Sequence, residues 1–81
     1  MKTEDILAKT QEAFHEAFSV DPLLISLETR PEDVPGWDSL GQLALATSLE
    51  QRFGISLDVD DLMEMESVFD IVRILHSKQE P

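Results

Sequence analysis

Residues 36–57 read GWDSLGQLALATSLEQRFGISL. Gly54 is a stop signal, and the polar group Asp38-Ser39 stands where a helix would start. The stretch therefore reads as one helix from Ser39 to Phe53, then a short apolar link from Ile55 to Leu57. At about 100° of turn per residue, Gln42, Leu45, Ala46, Leu49 and Phe53 share one side. That side is the core stripe. Leu40, Leu43, Ala44 and Thr47 gather on nearly the opposite side, which in a small bundle faces water. Single exposed leucines are ordinary, but a group of them beside a hydroxyl and an indole suggests a docking surface. The competing reading is that the preceding loop folds over them. Glu50 flanks this face, where it could meet a basic partner at the rim.

Two frames describe the start of this helix. In one, Ser39 is the N-cap and Gln42 completes a capping box. The hydroxyl is then spent on a backbone N–H. In the other, Asp38 is the cap, favoured by the helix dipole, and Ser39 is the first helical residue with its hydroxyl directed outward. A phosphodiester on that oxygen would lie at the positive end of a helix. Local rules do not choose between the frames.

Working outward, residues 4–18 carry a helical stripe of Ile6, Leu7, Thr10, Ala13, Phe14, Ala17 and Phe18. Lys9, Glu12, His15 and Glu16 lie on the other side. Thr3 is placed to cap it, and Glu4 and Asp5 suit its positive end. Residues 19–38 hold no period and are broken by Pro22, Pro31, Pro35 and Gly36. Within them DPLLI suits a single turn, with Asp21 as cap and Pro22 first. Val20, Leu23, Leu24, Ile25, Leu27 and Val34 indicate a loop that packs on the core, since a disordered linker has no use for them. Residues 59–64 make a short third helix with an acidic start, Leu62 and Met63 turning inward. Ser67 opens the last helix, where SVFD fits a capping box, and Val68, Ile71, Val72 and Leu75 line its inner face. Residues 77–81 are expected to fray. No strand pattern occurs. The expected fold is all-α: a small four-helix bundle, three main helices and one short one, with a long first loop.

The chain has 81 residues, of which 42% are apolar. That supports one small core, and residues 1–81 are read as a single domain. It begins at Met, ends soon after the last helix, and reads as a complete chain, with a domain excised from a longer protein as the alternative. No cysteine is present, which excludes disulfides and thiolate metal sites. Seventeen acids against six bases give a net charge of −11. Such a surface repels nucleic acid and anionic membranes and attracts basic patches. No run approaches the ~20 apolar residues of a membrane span, and MKTEDILAKT lacks the apolar centre of a signal peptide. A cytoplasmic monomer is expected.

Other chemistry is thin. His15 and His76 stand on different helices, and DVDDLMEME lacks the glycine and spacing of an EF-hand loop, so no metal site is expected. No nucleophile–base pair is visible, so no catalytic residue is assigned and the chain is not read as an enzyme. Ser19, Ser26, Ser48, Ser56 and Ser77 serve as internal controls. None combines a helix start with an acid-hydroxyl-leucine triplet.

Taken together, GWDSL, a helix ending LEQRFGISL, an acidic short helix and a final SVFDIVRIL resemble the acyl carrier protein family over the whole chain. The family's Asp-Ser-Leu motif is matched by Asp38, Ser39 and Leu40. The resemblance implies 4′-phosphopantetheine esterified to Ser39 by a phosphopantetheinyl transferase, with coenzyme A as donor and Mg²⁺ at the transferase. It implies acyl or aminoacyl cargo carried as a thioester, and docking on the second helix and the loop before it. Asp38 would hold the helix start and be read by the transferase. Leu40 and Leu43 would fill apolar pockets, with Ala44 and Thr47 on the same face and Glu50 meeting a basic residue. Trp37 would fix the approach to Ser39, with a direct contact to partners as its second role. Further partners would be a loading ligase or transferase and condensing or acyltransfer enzymes with basic or apolar docking patches.

This sequence departs from the family pattern on the second helix. Ala44 and Gln51 stand where acids are common, and Arg52 adds a positive charge. Recognition should lean on apolar contact, which points to a specialised pathway, such as polyketide, lipid or cell-envelope chemistry, over housekeeping fatty-acid synthesis. An aminoacyl or peptidyl carrier is the alternative. A helical adaptor that is never modified and binds a basic partner through Leu40 and Leu43 is the reading from a different class.

Overall fold

Helix α1 runs Thr3–Phe18 in a computed structural model that describes residues 2–79. Its stripe is buried as periodicity requires, with Ile6, Thr10, Ala13 and Phe14 fully inside. Thr10 is polar but satisfied, since its Oγ1 donates to the Ile6 carbonyl at 2.8 Å. Thr3 is not the cap. It is the first helical residue, Lys2 takes the cap position without a side-chain bond, and Glu4 and Asp5 supply the favourable charge.

The long loop is a structural strap. Pro22–Leu24 form one 3-10 turn, capped as expected by Asp21, whose Oδ1 accepts from the Leu23 N–H at 2.9 Å. Pro31–Asp33 form a second. Ile25 and Val34 are buried and Val20 and Leu27 are half-buried, but Leu23 and Leu24 are not in the core: they are 86% and 74% exposed. The tight turn at Pro22 directs both outward. The loop's polar groups do the rest of the anchoring. The Thr29 and Leu27 carbonyls accept the Val68 and Phe69 N–H groups at 2.9 and 3.0 Å. They thereby satisfy two of the free donors at the start of the last helix.

Helix α2, Ser39–Phe53, ends at Gly54, whose φ of 64° is the left-handed cap conformation a glycine adopts without strain. Helix α3 is Val59–Met63, with a reciprocal box in which Asp58 and Asp61 each accept the other's backbone N–H. Helix α4 is Val68–Gln79. Ser67 caps it as the SVFD pattern implies, its Oγ accepting from the Asp70 N–H at 3.2 Å and donating to the Asp70 carboxylate at 3.1 Å. Among the described residues there is no strand. Two expectations fail around α3 and α4. Met63 is 71% exposed, and Met65, two residues on, fills the core instead. Ser77 to Gln79 do not fray: they are helical, with Lys78 2.8 Å from Asp61 and the Gln79 amide on the Phe53 carbonyl at 3.3 Å. Glu80 and Pro81 lie outside the described residues.

Helix α1 is the element on which α2 and α4 pack. Phe14 sits at the centre, edge-on to Phe18 at 5.8 Å and to Trp37 at 4.9 Å between ring centroids. Around it lie Leu45 and Leu49 from α2 and Ile71 and Leu75 from α4, all fully buried. Truncating Leu45 to Ala should cost about 2–5 kcal/mol, as such core cavities do.

Gly41 is required by a close approach. A Cβ there would lie 1.8 Å from the Gly36 carbonyl oxygen and 2.8 Å from the Phe18 ring. The turn before α2 is thus wedged against the helix's first turn. In an open helix Gly→Ala stabilises by up to about 1 kcal/mol. Here the sign should reverse: Gly41→Ala should lower the urea midpoint by an amount equivalent to about 1–3 kcal/mol. An unchanged or higher midpoint would show that the turn yields freely.

The α3–α4 tie sets a pH dependence. The Lys78 ammonium, and then the Asp58 N–H, hold the Asp61 carboxyl below its usual 3.8, against a smaller opposing effect of burial. Asp61 in turn holds Lys78 above 10.5. A lowered carboxylate value means stability that is full above 3.8 and is lost as pH falls through the folded value. A raised ammonium value means stability that is full below 10.5 and is lost above it. Lys78→Met should therefore destabilise at pH 7, and the difference from wild type should shrink as the solution is taken below pH 3.8. Urea melts at neutral and acid pH read this directly.

Candidate functional site

At the start of α2 the structure selects the second frame. Asp38 is the N-cap, with extended backbone, and its Oδ1 accepts from the Gly41 N–H at 2.9 Å. Ser39 is the first helical residue and is exposed. Its hydroxyl takes no hydrogen-bond partner among the described residues. The Ser39–Gln42 capping box does not form: Asp38 holds the cap position and the Gln42 N–H donates to the Asp38 carbonyl at 2.8 Å.

Gln42 is the hub of the site. Its Oε1 accepts from the Trp37 indole Nε1–H at 2.5 Å. Its Nε2 donates to the Leu62 carbonyl at 2.8 Å and to the Met65 carbonyl at 3.5 Å. The Leu62 carbonyl, which also accepts the Met65 N–H at 3.2 Å, lies in the last turn of α3, and the Met65 carbonyl lies two residues beyond that helix. One side chain thus joins the turn before Ser39 to the end of α3. The sequence pattern placed Gln42 on the core stripe without its partners. The signal was present: an amide on a buried stripe must find hydrogen bonds, and an indole five residues earlier needs an acceptor.

Trp37 is only 5% exposed, stacked edge-on against Phe14. Burial leaves little of Trp37 exposed for the direct contact with partners expected as its second role. The other face of α2 is open. Leu40 is 79% and Leu43 56% exposed, Ala44 and Thr47 are exposed beside them, and the loop does not cover them. Val59 and Met63 of α3 add to this apolar surface. Between the two helices lies an open hollow of about 410 Å³ beside Ser39 and Asp38. Leu43, Val59 and Met63 line its sides, and Pro31, Trp37, Gln42, Leu62 and Met65 are its other lining.

Two charges on α2 are turned to structural use. Glu50 is half-buried, and its Oε2 accepts the Leu57 N–H at 2.8 Å, so it latches the link after α2 and is only partly free to meet a partner. Arg52 does not extend its charge from the exposed apolar face of α2. It reaches α1, 2.9 Å from Glu12 and 3.6 Å from Glu16, and donates to Ser48 at 3.2 Å. Ser48 is buried and donates to Glu16. This α1–α2 network was not foreseen, because nothing in local spacing links residues some forty apart. In DVDDLMEME three of the five acids are used internally, Asp58 and Asp61 as caps and Glu64 3.6 Å from Arg73. No group of three metal-ligating side chains lies together among the described residues.

Residues 8–75 match a family model described as the phosphopantetheine attachment site. Acyl carrier proteins from Exiguobacterium sp. (strain ATCC BAA-1283 / AT1b) and from Thermotoga maritima are each 32% identical to this chain. The first alignment covers 96% of this chain and 99% of the relative, and the second 93% of both. A third acyl carrier protein, from Exiguobacterium sibiricum, is 31% identical over 96% of this chain and 99% of its own length.

The exposed face of α2 makes a stability prediction. Leu43→Glu should change unfolding free energy by no more than about 0.5 kcal/mol and leave far-UV circular dichroism unaltered. A large loss of helix would place Leu43 in the core.

Proposed function

We propose a role for each residue of this site from one premise: the chain belongs to the acyl carrier protein family, so it is a carrier and not an enzyme, and its prosthetic group is 4′-phosphopantetheine. Ser39 is the attachment point. The observation that supports this most directly is the division of labour at the helix start, where Asp38 caps and Ser39 keeps a solvent-facing hydroxyl. That oxygen suits a phosphodiester. It is accessible, has no partner to lose, and lies at the positive end of a helix. When bound, the arm supplies the terminal thiol that this cysteine-free chain lacks, and acyl groups ride on it as thioesters.

The chain's own residues bind and orient. Asp38 fixes the first turn and is the charged neighbour read by a phosphopantetheinyl transferase. Leu40 and Leu43 enter apolar pockets of that transferase and of later partners, with Ala44 and Thr47 allowing close approach and Glu50 contributing at the rim. A carrier works with partner enzymes, and here we assign a loading ligase or transferase and condensing or acyltransfer enzymes bearing apolar and basic patches. Association with basic patches is helped by the charge of −11 and should slow as salt is added.

The hollow favours acyl over aminoacyl cargo. Its lining is mainly apolar, and the Gln42 amide is already committed at both ends. The only charged group in that lining, Asp38, has one oxygen engaged in the helix cap. Exposed Ala44 and Gln51, with Arg52 turned to α1, leave α2 to be recognised mainly by shape and apolar area. That supports a specialised biosynthetic pathway over housekeeping fatty-acid synthesis. Among the described residues no helix is long and apolar enough to cross a membrane, and we place the work of this carrier, as a monomer, in the cytoplasm.

Intact mass spectrometry after incubation with coenzyme A, Mg²⁺ and a broad-specificity phosphopantetheinyl transferase tests the assignment. The wild-type chain should gain one phosphopantetheinyl group and Ser39→Ala none. No gain in wild type, as for an unmodified adaptor, or an equal gain in the variant, would end the Ser39 assignment. Leu43→Glu should raise the KM of loading by roughly tenfold, an effect of the size expected for one buried contact in an interface.

A further inference from the structure

The apolar surface beside Ser39 is built from two helices of very different standing. Leu40 and Leu43 stand on α2, whose other side is buried in the core. Val59 and Met63 stand on α3, which has only five residues. A helix so short has no stability of its own. Its inward side chain, Leu62, is only partly buried, and α3 makes no extensive backbone-level contact with any other element. Apart from Leu62, and Met65 just beyond the helix, its ties are polar. The Gln42 amide donates to the Leu62 carbonyl in its last turn and to the Met65 carbonyl just beyond it, Lys78 pairs with Asp61 at 2.8 Å, and Arg73 lies 3.6 Å from Glu64. Of these ties, Gln42 alone also reaches the turn that carries Ser39, through the Trp37 indole.

We infer that Gln42 is a positioning residue that latches α3 to the Ser39 turn. It keeps Val59 and Met63 in register with Leu43, so that the two-helix surface meets partner enzymes as one unit. Movement of α3 and freedom of the Trp37 indole are then linked. When the Leu62 and Met65 carbonyls leave, the carboxamide that accepts the indole N–H loses the two bonds that hold it in place. This inference rests on the Ser39 reading only for its consequence in loading; the latch itself is a property of the unmodified chain.

Hydrogen exchange followed by NMR on the unmodified chain tests the latch from both ends. Gln42→Glu can still accept from the indole but cannot donate to the α3 carbonyls. The Leu62, Glu64 and Met65 amides, which are bonded within or just after α3, should exchange about tenfold faster, while core amides of α1 and α4 are unchanged. Unaltered α3 exchange would overturn the latch. Lys78→Met approaches from the other end, on a side chain bonded to neither Trp37 nor Gln42. It should speed the α3 amides and, through the relay, the Trp37 indole N–H. Faster α3 amides with an unchanged indole would overturn the coupling. This variant alters one exposed lysine, so it keeps the test available even if Gln42→Glu folds poorly.

Loading supplies a readout that simple destabilisation does not move. With coenzyme A and a phosphopantetheinyl transferase, Gln42→Glu should raise the KM for the carrier by about tenfold and leave kcat within about twofold, because it disturbs the docking surface and not the hydroxyl. A fall in kcat at unchanged KM would overturn the positioning role. If the wild-type chain takes up no phosphopantetheine while both exchange results hold, the latch stands and the Ser39 assignment falls.

Discussion

The indole of Trp37 is the constraint on which the rest of this structure depends. It is a large apolar ring with one polar atom, so it can be buried only where that N–H finds an acceptor. Phe14 supplies the apolar half of the solution and Gln42 the polar half. With the ring seated, the turn before α2 has one position. Gly36 and Gly41 then approach within a distance that no side chain permits, and Asp38 is brought to the end of the helix as its cap. The exposed hydroxyl of Ser39 is the last consequence of that chain of contacts.

A cap and a modifiable hydroxyl compete for the same few N–H groups. Ser is a good cap, and a capping serine would be a poor attachment point because its oxygen would be committed to the backbone. Placing a carboxylate one residue earlier resolves the competition. Asp38 satisfies the helix, and Ser39 is left with a side chain that does no structural work. The same economy recurs elsewhere. The loop carbonyls of Leu27 and Thr29 serve as acceptors for α4, and Glu50 serves as an acceptor for the link after α2. In a domain this small, long loops are stable because their polar groups complete helix ends.

The molecule is unevenly held. Helices α1, α2 and α4 share an apolar core around Phe14, Leu45, Leu49, Ile71 and Leu75. Helix α3 is fastened by Leu62 and by hydrogen bonds and ion pairs, and its other apolar side chains, Val59 and Met63, are left outside. Polar ties are individually modest in water. A carrier must offer similar surface to several enzymes in turn. A three-helix core bearing one short helix beside an exposed apolar surface suits that task.

Much of this was legible in the sequence because helix periodicity and caps are local. The stripes on α1, α2 and α4, the stop at Gly54, the caps at Asp21 and Ser67 and the open second face of α2 each depend on residues within a turn or two of each other. Leu23, Leu24 and Met63 misled because apolarity predicts burial only on average, and a tight turn or a short helix can direct a side chain outward. The choice between Asp38 and Ser39 as cap, the reach of Gln42 to Leu62, and the turning of Arg52 toward Glu12 were decided by tertiary structure alone. In each case the winning partner, or the contact that excludes the rival, lies on another element. Gln42 and Leu62 are twenty residues apart, and only the packing of helices determines which distant carbonyl a side chain can touch.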